Sequence, residues 1–222
     1  MERPLDAELK KLKGSLSGMA DFVENTVEKS IRTFISKDHD AAKRIIEKDD
    51  VINGYDLEIE KECLKLIALH QPAAQDLRTI TMILQIRSDL ERMGDLAVNI
   101  SEETLKLEND NTNSMNDLKM LSKKTIRMLK DSISSFLEKD ARLAKKVWES
   151  DVKIDNLNEK IIDDAINYMI LKKKKIKNMT SLISVSKCLE RIADHATNIA
   201  EDVIYMCTGE TIMHSDSIGN DE

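Results

Sequence analysis

The sequence predicts an all-α protein of two tandem antiparallel three-helix bundles related by an internal repeat, on three observations. The first is duplication. Leu90-Glu91-Arg92-Met93-Gly94-Asp95-Leu96-Ala97-Val98-Asn99-Ile100-Ser101-Glu102 returns 99 positions later as Leu189-Glu190-Arg191-Ile192-Ala193-Asp194-His195-Ala196-Thr197-Asn198-Ile199-Ala200-Glu201. Upstream, Ser30-Ile31, Phe34, Lys37-Asp38, Ala42-Lys43, Asp49 and Ile52 return as Ser132-Ile133, Phe136, Lys139-Asp140, Ala144-Lys145, Asp151 and Ile154. A unit of roughly 100 residues exceeds the roughly 20 to 50 of a solenoid repeat and fits a whole small domain. The second observation is composition. Two prolines, six glycines, 3% aromatics and 34% charged residues favour long helices. The third is a heptad seam, Ile83, Ile86, Leu90, Met93, Ala97, Ile100 and Leu107, matched by Leu182, Val185, Leu189, Ile192, Ala196, Ile199, Val203 and Met206. That spacing packs helices at shallow angles in a bundle.

Six helices are expected, at about 5–36, 39–69, 73–108, 116–138, 140–171 and 177–207. Gln71-Pro72 separates the second from the third. The polar run Glu108-Asn109-Asp110-Asn111-Thr112-Asn113-Ser114 separates the third from the fourth and divides the chain into domains 1–110 and 111–222. Ser114 or Asn116 is placed to cap the fourth helix. Lys172 to Lys175 separates the fifth from the sixth, and the tail from Gly209 is expected to fray. The bundles could join end to end or side by side.

The net charge of -7 argues against nucleic acid as the main partner. Cys63, Cys188 and Cys207 are odd in number and lack paired spacing, which argues against a disulfide framework or a zinc knuckle. No stretch approaches the roughly 18 apolar residues of a spanning helix, and the N-terminus lacks the apolar core of a signal peptide. A soluble, cytoplasmic protein is expected.

Function enters through misplaced acids. The second helix carries Ile45, Ile52, Ile59 and Leu66 on one row of its apolar stripe but Ala42, Asp49, Asp56 and Cys63 on the other. The fifth repeats this with Val147, Ile154, Ile161 and Tyr168 beside Ala144, Asp151, Asn158 and Ala165. Half-buried carboxylates are costly without a cation or donors. On the third helix Glu91 and Asp95 stack four apart, with Asn99 and Glu102 near the same angle. A turn at residue 71 sets Asp49 level with residue 93, between Glu91 and Asp95, and Asn53 level with about 89. A turn at 173 sets Asp151 and Asp155 level with about 195 and 191, beside Glu190 and Asp194. Carboxylates gathered without histidine or cysteine suit a hard cation, or iron or manganese.

A Glu-Arg-x-x-Asp pattern standing alone is ordinarily a salt-bridged surface, with Arg92 and Arg191 pairing the acids. A metal-free helical scaffold therefore stands as one alternative. A carboxylate-bridged metal hydrolase or oxidase stands as another, although it needs a base and an open coordination position. The Glu-x-x-His of ferritin-like di-iron sites is missing, since Gly94 and Ala193 occupy the third positions. His195 faces Leu96 in the repeat alignment and reads as a solvated or hydrogen-bonded histidine. Trp148 reads as a packing anchor. The four lysines from Lys172 read as a solvated connection, with an acidic partner or anionic lipid as the alternative. Walker, dinucleotide and nucleophile-elbow motifs are absent.

The paired Leu-Glu-Arg-(Met/Ile)-x-Asp-x-Ala-x-Asn-Ile-x-Glu segments resemble the PhoU family of phosphate-uptake regulators. So do Gln71-Pro72-Ala73-x-x-Asp76-Leu77-Arg78, Glu201-Asp202-Val203-Ile204-Tyr205 and Thr208-Gly209, and the likeness spans essentially the whole chain. The resemblance implies two tandem three-helix bundles in a cytoplasmic, non-enzymatic adaptor. Its partners would be the ATPase subunit of a phosphate ABC transporter and a phosphate-sensing histidine kinase. A homodimer that meets the membrane only through those partners is implied as well. Paired (Glu/Asp)-x-x-x-Asp motifs that hold multinuclear metal clusters map onto Glu91/Asp95, Glu190/Asp194 and Asp151/Asp155. Iron is the leading metal, with zinc, manganese or magnesium as the others. In the second helix the motif reads Asp49-x-x-x-Asn53. An amide is a poorer ligand than a carboxylate, and Asp56 could compensate.

Overall fold

Each half begins with a long helix whose apolar residues recur at helical spacing. In the computed structural model, which describes residues 3–108 and 115–209, α1 (Pro4–Ser36) buries Leu12, Leu16, Met19, Val23, Val27 and Phe34. Its repeat-mate α5 (Asn116–Glu138) buries Leu118, Leu121, Met128, Leu129, Ile133 and Phe136. Both helices stop alike. Lys37 and Lys139 take left-handed backbone at φ 57° and 55°, and the amides of Asp38 and Asp140 return to the carbonyls of Thr33 and Ser135, a Schellman closure. The same two aspartates cap the short helices that come next. Asp38 accepts from the Ala41 amide, and Asp140 from those of Arg142 and Leu143.

The second and fifth predicted helices are each two helices, which corrects the six-helix reading. The second divides into α2 (His39–Ile46) and α3 (Asp50–His70), the fifth into α6 (Ala141–Trp148) and α7 (Asp151–Leu171). At the breaks the ladder tightens. The amides of Lys48 and Asp49 reach Ile45 and Ile46, and that of Ser150 reaches Val147. Residues 47–49 and 149–150 hold no glycine or proline; Asp49 and Ser150, residue types that favour helix starts, stand at the N-cap positions that follow. The consequence for the site is direct. Asp49 stands at the N-cap of α3 and Asp151 is the first residue of α7, where a helix N-terminus favours negative charge.

Gln71, at φ 42°, ends α3 before Pro72 and α4 (Ala74–Leu105). In the second half, Lys173–Lys175 forms a short 3-10 turn leading into α8 (Ile176–Thr208). Asn116 is the first residue of α5, behind a Met115 cap position that makes no side-chain cap bond, so it does not cap as expected. Ser114, the run 109–114 and the tail beyond Gly209 lie outside the described residues.

The predicted seams form the core except at the two ends of the α8 seam, where Leu182 and Met206 are only partly buried. Ile83, Ile86, Leu90, Met93, Ala97 and Ile100 of α4, and Val185, Leu189, Ile192, Ala196, Ile199 and Val203 of α8, are fully buried. Each large aliphatic side chain so removed from water contributes about 1.5–3 kcal/mol. Gly94 lets α3 close on α4, because a Cβ there would meet Ile52 Cδ1 at 2.5 Å. The halves lie side by side and share one apolar cluster. Repeat-equivalent helices meet antiparallel. Along α4 and α8, Asp89 pairs with His195 at 2.9 Å and the Glu108 amide donates to Asn178 at 3.0 Å. Along α1 and α5, Lys130 pairs with Glu24, and the Lys13 ammonium lies 5.7 Å from the Phe136 ring centroid. Among the described residues no helix is long and apolar enough to cross a membrane.

Candidate metal centres

Breaking the second and fifth predicted helices aims two aspartate-bearing N-termini at the middles of α4 and α8, and acids collect at both crossings. In the second half, Asp151 and Asp155 of α7 and Asp194 of α8 each bring a carboxylate oxygen within 4.8 Å of the others. Asp151 is buried, only 5% exposed, and Thr197 Oγ1 lies 3.1 Å from both its Oδ1 and the Ala193 carbonyl, two acceptors that share the one hydroxyl proton. Lost hydration, then the charges of Glu190, Asp151 and Asp155, push Asp194 up to about 6. Glu190 lies outside the triad but within its field. Burial first, then Asp155 and Asp151, raise its carboxyl above the usual range, against Lys187 and Arg191.

Mutual repulsion among half-desolvated carboxylates is a strain that a proton or a multivalent cation relieves. The donor set fits a metal ion: oxygen ligands only, three of them close, one within reach of a hydroxyl. Such a set can hold a cation and position it at the surface of the α7–α8 crevice.

The first half keeps the acids and answers them differently. Asp49 and Glu91 are both raised, each by burial first and then by Asp95. Asn53 Nδ2 donates weakly to Asp49 Oδ2 at 3.4 Å. Arg92 reaches Glu91 at 3.5 Å and Asp95 at 3.6 Å. Asp56, read as a compensating ligand, is instead held by the Arg87 guanidinium, which also binds Glu60 at 2.8 Å. Among the described residues no three acidic, histidine or cysteine side chains of this half come as close as the α7–α8 triad. At the repeat-equivalent places the second half has Thr197 for Val98, Asp155 for Asn53, and the buried Asn158 and Ser186 for Asp56 and Arg87. Asn158 Oδ1 has no hydrogen-bond partner among the described residues.

Asn99 and Glu102 are exposed. His195 is occupied by Asp89, across the contact between halves. Trp148 does more than pack, since its indole N–H donates to Glu201 Oε1 at 3.1 Å. The cysteines are free, and burial pushes Cys63 up to about 12 and Cys188 to about 11, far from thiolate chemistry. Sequence reasoning missed Arg87 and Thr197. Arg87 sits 31 residues from Asp56, and only the repeat mismatch of Thr197 with Val98 marked the latter.

Fold and site together define a duplicated helical-bundle protein with an acidic crevice in each copy. A model of the PhoU domain matches residues 16–104 and again 118–203, and the chain belongs to the PhoU family. It is 37% identical over 208 residues to the phosphate-specific transport system accessory protein PhoU homolog of Aquifex aeolicus, covering 93% of this chain and 94% of that one. The homolog from Clostridium acetobutylicum is 32% identical over 209 residues, covering 93% and 95%. The Escherichia coli protein is 31% identical over 218 residues, covering 98% and 89%. The crystal structure of PhoU from Pseudomonas aeruginosa superposes with a TM-score of 0.88 at 32% identity, covering 92% of this chain and 99% of that one. That of the phosphate transport system regulatory protein PhoU from Streptococcus pneumoniae gives 0.87 at 33%, covering 94% and 99%. These names describe accessory and regulatory proteins, not enzymes.

Proposed function

We propose that the protein regulates phosphate uptake and phosphate-starvation signalling in the cytoplasm, as an adaptor between the ATPase subunit of a phosphate transporter and a sensor kinase. Family membership along the whole chain supports the phosphate-transport role, as relatives carry that description in their names. The observation that carries the metal part is the triad of Asp151, Asp155 and Asp194. These residues, with Glu190 beside them, would hold iron, zinc, manganese or magnesium, singly or as a cluster. A bound cation would neutralise the crevice and give it an electrophilic face for an acidic or oxyanionic group of a partner. The chain's own residues set the conditions: Thr197 orients Asp151, and the start of α7 adds positive potential behind it. The halves 1–110 and 111–222 act as two unequal modules, and the chain pairs into a homodimer.

For Asp49, Asn53, Glu91 and Asp95 a second reading has its own support. Arg92 and Arg87 already answer acids of that half, so the first crevice serves as a salt-bridged docking face rather than a loaded site.

The test is elemental analysis of protein purified without chelator or metal-binding tag, beside Asp151→Ala/Glu190→Ala/Asp194→Ala, then pull-down of the ATPase subunit. Metal near or above one ion per chain, lost in the variant together with partner capture, supports the proposal. Metal-free protein that still captures the partner removes the metal from it.

A further inference from the structure

The turn between α7 and α8 carries two properties that soluble turns seldom combine. Ile170 and Leu171 are 71% and 77% exposed, the most exposed large aliphatics among the described residues. Ile166 and Ile176 flank them at 43% and 47%. Directly between lie Lys172, Lys173 and Lys174, all exposed, in a chain whose net charge is -7. Glu108, an acid near the same end of α8, is already paired with Lys177 at 3.2 Å. The patch is therefore apolar and cationic at once.

The patch sits where α7 passes through a short 3-10 turn into α8, at the tip of a helical hairpin. The equivalent turn of the first half, at the other end of the molecule, exposes Leu69 at 66% but follows it with His70, Gln71 and Pro72, without a lysine. Arg78 and Lys139 lie at that other end, but the run of consecutive lysines beside exposed aliphatics belongs to the α7–α8 turn.

We propose that the α7–α8 tip docks directly on an anionic phospholipid surface, with Ile170 and Leu171 entering the headgroup boundary and the lysines meeting the lipid phosphates. Aliphatic side chains next to lysines are the pairing such an interface selects, because apolar burial and attraction to anionic headgroups act together. The contact is independent of the transporter and of any metal in the acidic crevices. It would set the long axes of α7 and α8 at a steep angle to the bilayer, leaving the crevices open along the flank.

The experiment is co-sedimentation of the full chain with large unilamellar vesicles of phosphatidylcholine containing about one quarter phosphatidylglycerol, against pure phosphatidylcholine. Binding to the anionic vesicles alone, weakened by salt, is expected. Each lysine near the surface accounts for roughly a fivefold change, so Lys173→Glu/Lys174→Glu should lose about 25-fold or more. Ile170→Ser/Leu171→Ser should also weaken binding, whereas Leu69→Ser at the opposite end should not. All these side chains are exposed, and unchanged far-UV circular dichroism checks the fold. The proposal is overturned if the wild-type chain stays in solution with anionic vesicles at low salt, or if the lysine variant sediments as well as wild type. Retention on an immobilised acidic peptide without vesicle binding overturns it in favour of a protein partner.

Discussion

Asp194→Asn should stabilise the protein when metal is removed and deprive it of stabilisation when metal is supplied. The carboxyl stands at about 6 against an ordinary 3.8. For a fully desolvated group that difference amounts to about 3 kcal/mol. Asp194 lies at an exposed edge, and solvent screening there brings the figure nearer to about 1 kcal/mol. The folded value is the higher one, so the native chain binds the proton more tightly than the unfolded chain. The penalty is absent below the ordinary value, grows as pH rises through the interval to about 6, and is full above it. In chelator near neutral pH, the amide should raise the melting temperature by about 2–4 °C. Below the ordinary carboxyl value the gain should vanish. With manganese at about 100 times its dissociation constant, wild-type protein should gain about 2.7 kcal/mol and the variant much less. Thermal melts by circular dichroism at both pH values, with chelator and with manganese, measure all four quantities. The reasoning is refuted if the variant melts lower than wild type in chelator at neutral pH, or gains equally at both pH values.

Other expectations rest on single contacts. Thr197→Val, the residue type at Val98, removes the hydroxyl donor to buried Asp151 and should cost about 1–3 kcal/mol in chemical denaturation. Arg87→Ala leaves Asp56 unanswered at its half-buried position and should cost about 2–3 kcal/mol, with Asp56→Asn recovering part of it in the double variant. Phe136→Ala, emptying a site only 1% exposed, should cost about 3–5 kcal/mol by the same measurement. A double-mutant cycle on Asp89 and His195 should return a coupling of about 0.5–1.5 kcal/mol, and zero coupling would mean that their hydrogen bond does not help to hold the halves.

The bundle architecture was legible because hydrophobic period survives translation into structure. Every residue from Ile83 to Ile100 placed on the α4 seam is buried. Asp49 and Asp151 stood out by the same logic, as charges on an apolar row. The broken helices were not read from the sequence, since Lys48-Asp49-Asp50 and Glu149-Ser150-Asp151 hold no glycine or proline and their aspartates and serine are only mild start signals. The parts on either side of each break pack on one helix, α4 or α8. Nor could the seam alone reveal the side-by-side union. Residues of α4 and α8 face their own bundles and each other, and a heptad pattern is silent about how many neighbours it serves. Arg87 was missed because its anions lie on another helix. The inequality of the two crevices was half visible in Asn53, but the role of Asp56 reversed on meeting Arg87.

The antiparallel meeting of α4 with α8, and of α1 with α5, is the contact that two copies of a single repeat would make about a twofold axis. In such a pair both crevices would be identical, and any substitution would alter them together. Joining the copies in one polypeptide removes that constraint. One crevice can keep Val98, Asn53 and the Arg87 bridge while the other keeps Thr197, Asp155 and the buried Asn158. The covalent link therefore matters less for holding the halves together, which their common core already does, than for allowing them to differ.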